Sequence, residues 1–96
     1  MNAIKLTELN PKWVNWRGKE RGGIGFQCPL HRDGDCKDNA MIGNRIVIPF
    51  KEAEQNGWDK TGDSFDNITL SPSIMPMNEN GTPHWHGWIR KGMVEW

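Results

Sequence analysis

Both cysteines and all three histidines of the chain fall in two short stretches. The first is Cys28-Pro29-Leu30-His31, followed by Cys36; the second is Pro83-His84-Trp85-His86-Gly87-Trp88. Thiolate and imidazole are the donors that Zn²⁺ favours, and a two-residue gap between Cys28 and His31 lets a tight turn aim both at one tetrahedral ion. In an extended strand His84 and His86 project to one face. Their Cβ atoms would stand about 6–7 Å apart at a rise of about 3.3 Å per residue, close enough to share an ion. The pattern predicts a zinc site drawn from Cys28, His31, Cys36, His84 and His86. These are more donors than a tetrahedral ion takes: Cys28, Cys36 and His86 rank first, and His31 and His84 compete for the remaining place. The competing reading makes Cys28 a small core residue and the histidines polar tips on a Trp-rich surface.

The companions that would turn such a cluster into an enzyme are missing. The chain has no H-E-x-x-H, no acid close behind His86, and no histidine–glutamate step paired with C-x-x-C. A site closed by four protein ligands also keeps no open position for substrate. A zinc-dependent hydrolase is therefore the alternative to a structural role.

The elements that must carry these groups read as short strands and turns. Gly is abundant, Ala scarce, Tyr absent and Trp over-represented, a composition poor for helices. Ile24–Cys28 reads as a strand delivering Cys28, and Arg45–Phe50 as a second one. Phe50–Trp58 reads as a short helix stopped at Asn56-Gly57. In Thr7–Trp16, Asn10-Pro11 suits the start of a helix, although an extended arm fits nearly as well. Ile68–Ile74 alternates, with Ile68, Leu70, Pro72 and Ile74 on one side and Thr69, Ser71 and Ser73 on the other. Pro72 has no N–H, so that strand is at an edge or bulged there. His84–Trp96 reads as a hairpin turning at Lys91-Gly92.

Ninety-six residues suit one domain with a modest core. Acids and bases balance at 12 each, so the net basic charge of a nucleic-acid binder is missing. A local patch of Lys12, Arg17, Lys19 and Arg21 keeps a single-stranded nucleic-acid binder as a further alternative. No apolar run approaches the roughly 20 residues that cross a bilayer, and Met1–Asn10 lacks the apolar segment of a secretory signal. The expectation is a cytoplasmic protein.

Six tryptophans are many for so small a core. Trp13, Trp16, Trp85 and Trp88, with Arg17 and Arg90 beside them, are candidates for contact with a partner, since exposed Trp and Arg dominate protein interfaces.

Cys28-Pro29, Trp58, Thr69–Ile74 ("TLSPSI") and His86–Trp96 ("HGWIRKGMVEW") together resemble a small zinc-ribbon-type family of unknown function, DUF6527. The resemblance covers about the last three quarters of the chain. In that pattern a cysteine precedes the family histidine; here Pro83 stands in its place and His84 follows. His31 occupies ground where relatives carry cysteine. The resemblance implies a zinc-ribbon-like β domain of the kind found in phages and mobile elements.

The resulting expectation is a mainly β protein, a small zinc-stabilised antiparallel sheet with one or two short helices. Residues 1–23 would form an arm or short helix with a basic loop, and 24–96 the zinc-binding domain. Its function would be non-enzymatic: a phage or mobile-element accessory protein in the host cytoplasm that binds a host protein such as a CRISPR-type defence complex.

Overall fold

The alternation in Ile68–Ile74 and the Lys91-Gly92 turn organise the larger of two antiparallel sheets. A computed structural model describes residues 2–30, 45–76 and 82–96. The strands are β1 (Ala3–Lys5), β2 (Lys12–Trp16), β3 (Lys19–Gln27), β4 (Arg45–Pro49), β5 (Asp59–Thr61), β6 (Thr69–Ile74), β7 (Gly87–Arg90) and β8 (Met93–Glu95), with a 3-10 turn at Leu6–Leu9. One sheet has the order β1-β8-β7-β6-β5 and the other β2-β3-β4. The fold is mainly β, as its composition indicates.

The β7–β8 hairpin turns through Lys91 (φ 49°) and Gly92 (φ 76°), both left-handed as a two-residue hairpin turn of this kind demands. Arg90 faces Met93 across the turn. The Gly92 N–H donates to the Ile68 carbonyl at 2.9 Å, and the Lys91 N–H to Thr69 Oγ1 at 2.9 Å, so the turn is fastened to the start of β6. Apolar side chains of both sheets meet in one core that includes Ile24, Phe26, Ile46, Ile48, Ile68, Leu70, Ile89 and Val94.

Several local expectations are corrected. Phe50–Trp58 is not a helix. Phe50 and Trp58 form a parallel bridge, and the residues between them must loop the chain back so that it runs in the same direction at both. One turn closes, where the Glu54 N–H reaches the Phe50 carbonyl at 3.0 Å, and propagation stops there. Gly57 lies against the Phe50 backbone, 2.6 Å from where a Cβ would sit, so its absent side chain serves a close approach and not a helix end. Asn10-Pro11 starts no helix either: Asn10 is left-handed (φ 50°) and ends the 3-10 turn, and Lys12–Trp16 is extended. β3 runs continuously through residues 23 and 24, and β1 pairs with the C-terminal β8.

Candidate active site

β6 is distorted where the sequence places Ser71-Pro72-Ser73. Its partner β5 ends at the Asp59–Ser71 pair. On the other side the ladder to β7 runs from Leu70–Ile89 to Ile74–Gly87, so four steps along β6 oppose two along β7. The surplus is a bulge holding Ser71, Pro72 and Ser73. Pro72, which has no donor for a ladder, is exposed within it. Bulges of this kind re-aim a side chain. Here the outcome is a contact between Ser73 Oγ and His86 Nε2 at 2.8 Å, open to solvent.

His86 immediately precedes β7, and the start of that strand is set by Gly87. A Cβ on Gly87 would run into the Glu95 carbonyl, so only glycine lets β7 lie this close to β8. Two residues beyond His86 stands Trp88, whose indole lies 5.2 Å from the imidazole at a tilt of 34°. Arg90 follows, its guanidinium 5.1 Å from the Trp88 ring centre. Imidazole, indole and guanidinium thus form a row along β7. Among the described residues no carboxylate pairs with His86. The ring is oriented by Ser73 on one side and Trp88 on the other.

Ser73 is held from its backbone. The Trp58 Nε1–H donates to the Ser73 carbonyl at 3.2 Å. Trp58 is itself anchored to the end of β4: its N–H donates to the Pro49 carbonyl at 2.9 Å, and its carbonyl accepts from the Lys51 N–H at 2.8 Å. The smaller sheet therefore positions the serine of the larger one through a single indole.

A serine hydroxyl within hydrogen-bond reach of an imidazole nitrogen is the arrangement of an activated nucleophile and its base. The sequence reading missed it. Ser73 was visible only as a polar position of an alternating strand, and His86 only as a metal donor. The signal that could have joined them was the bulge expected at Pro72, which frees Ser73 from the strand's two-faced geometry.

The five metal candidates do not assemble among the described residues. No group of three or more His, Cys, Asp or Glu side chains stands close enough to hold an ion. Cys28 is fully buried, with its Sγ 3.3 Å from His84 Nε2. His86 is engaged with Ser73 instead. His31 and Cys36 lie outside the described residues. The two histidines part company because they precede β7 and do not lie in it, so the two-residue period that would align them does not apply.

The partner-binding candidates are mostly committed internally. Trp85 is buried. Trp13 stacks on Phe65 at 4.6 Å, and the Arg21 guanidinium lies over the Trp13 ring, 5.6 Å from its centre. Trp16 donates to Glu54 Oε2 at 3.1 Å, and Arg17 Nε pairs with the same oxygen at 3.1 Å. Part of the basic patch is engaged internally, Arg21 with the Trp13 ring and Arg17 with Glu54. Trp88 and Arg90 stay together beside Ser73.

Residues 4–96 match the family described as "BubE: Bacterial ubiquitination-like system serine protease (BubE)". The chain belongs to that family. No curated protein and no solved structure gives a significant match. The family assignment corrects the resemblance to DUF6527, and with it the zinc-ribbon identity and the non-enzymatic binding role. The segments that carried the resemblance, Thr69–Ile74 and His86–Trp96, are β6 and the β7–β8 hairpin with the histidine before it. They were read as a scaffold around a metal; in the structure their Ser73 and His86 meet each other. Membership of a ubiquitination-like system makes proteins its partners. Among the described residues no helix is long and apolar enough to cross a membrane.

Proposed function

We propose that this chain is a serine protease that cleaves an acyl bond of a ubiquitin-like modifier, in a peptide or isopeptide linkage, with Ser73 as nucleophile and His86 as general base and acid. The observation that carries the proposal is the 2.8 Å contact between Ser73 Oγ and His86 Nε2, in a chain whose family is one of serine proteases.

The geometry translates into a balanced sequence of steps. Ser73 donates its hydroxyl proton to His86 Nε2 as its Oγ attacks the carbonyl carbon of the scissile bond. The tetrahedral species collapses when His86 returns the proton to the departing nitrogen, which leaves as an amine. Water then enters, gives a proton to His86, and attacks the acyl-serine; the carboxylic product leaves and Ser73 recovers its proton. Trp88 restrains the rotation of the imidazole, because its ring covers one side of it. Trp58 fixes the main chain at Ser73, so the Oγ is held rather than swept through an arc.

In this reading a ubiquitin-like protein takes the place of the host defence complex expected from the sequence. A cytoplasmic location, where such conjugation proceeds, belongs to the same proposal. The test is a fusion of the modifier of the same system to a reporter through its C-terminus. The wild-type protein releases the reporter and Ser73→Ala does not. Equal release by both proteins would contradict the assignment of Ser73.

A further inference from the structure

The bulge opens onto a groove of about 410 Å³. Ser71, Pro72 and Ser73 form one wall, and Trp88 and Arg90 another. Among the described residues that line it, Arg90 alone is charged. Its side chain is 56% exposed, and its ion pair with Glu95 is 3.8 Å long, beyond hydrogen-bond range. The guanidinium rests on the Trp88 ring at 5.1 Å, which restricts it before any ligand arrives. It therefore offers a planar set of N–H donors, already oriented, to whatever fills the groove.

We propose that Arg90 is a specificity residue of the Ser73 site, binding the carboxylate of an Asp or Glu side chain in the substrate peptide. The inference rests on the protease reading of Ser73 and His86. The spacing follows from the Trp88 ring. The His86 imidazole lies 5.2 Å and the Arg90 guanidinium 5.1 Å from it, so the two groups stand no more than about 10 Å apart, which an extended peptide covers in about three residues at about 3.3 Å each. The acid is placed about three residues from the scissile bond, and an acid next to that bond falls short of Arg90. Glu95 tempers the preference without removing it: its carboxylate steadies the guanidinium from the β8 side but forms no hydrogen bond to it.

The experiment uses matched decapeptides with Asp or Lys at the third residue before, or the third after, the central bond. Each competes with labelling of Ser73 by a fluorophosphonate, so the readout does not require the peptide to be cut. One of the two Asp peptides is expected to protect Ser73 roughly three- to tenfold better than its Lys twin, a difference in the range of an exposed but oriented charge pair. Raising the salt shrinks the ratio, and Arg90→Glu inverts it. Equal protection by Asp and Lys peptides at both positions, or a ratio that survives Arg90→Glu, overturns the role of Arg90 while leaving labelled Ser73 in place. If Ser73 takes no label in the wild-type protein, the protease reading itself fails and this inference goes with it.

Discussion

The Trp58 indole and the Ser73 carbonyl are joined by a hydrogen bond of 3.2 Å that crosses from the β4 end of one sheet to the bulge of the other. Trp58 touches no reacting atom in this account; it is a positioning residue. Trp58→Phe keeps most of the apolar contact and deletes the donor. The expected result is a fall in kcat of about tenfold, equivalent to about 1.4 kcal/mol, with KM little changed. Global stability should drop by only about 1 kcal/mol. Equal kcat in the two proteins would show that the indole holds the fold and not the nucleophile.

The β7–β8 turn predicts a backbone effect. Gly92 has φ 76°, and a Cβ there would meet the Asp66 carbonyl. Gly92→Ala therefore combines a left-handed residue with a clash. It is expected to cost about 1–3 kcal/mol, read as a lower urea midpoint with an unchanged slope. Because the turn is bonded to Ile68 and Thr69, the loss should loosen β6 as well, visible as faster amide exchange along Thr69–Leu70.

Cys28 yields a separate test. It is a buried thiol against His84, away from the Ser73–His86 contact. Cys28→Ala should cost about 1–3 kcal/mol through the lost packing and the disturbed imidazole neighbour. Labelling of Ser73 in the folded protein should persist. Loss of labelling with the fold intact would tie Cys28 to the catalytic arrangement.

Local sequence signals carried the strands well and the site poorly. Ile68–Ile74 and the Lys91-Gly92 turn were legible because alternation and positive-φ chemistry act over a few residues. The bulge at Pro72 was legible for the same reason: a residue without an N–H cannot continue a ladder. What the bulge does was not. It turns Ser73 toward a histidine 13 positions away in the chain, and that pairing is set by a register between β6 and β7 that no local pattern encodes. His84 and His86 are neighbours in the chain, but one meets Cys28 and the other Ser73, a divergence that no local spacing encodes. Phe50–Trp58 misled, since its helix-forming composition was overruled by a bridge between its two ends. Trp58 stood out in the sequence only as part of a family pattern, and its indole N–H acquired a role only once β6 was folded against it.

The central claim is that His86 activates Ser73. The most direct measurement is fluorophosphonate labelling followed by mapping of the modified residue by mass spectrometry. A single adduct on Ser73 is predicted in the wild-type protein, with none on the exposed neighbour Ser71. His86→Ala should slow the labelling roughly 10²- to 10⁴-fold, the range that general-base assistance supplies. An adduct on Ser71, or labelling of Ser73 at an undiminished rate in His86→Ala, would contradict the account.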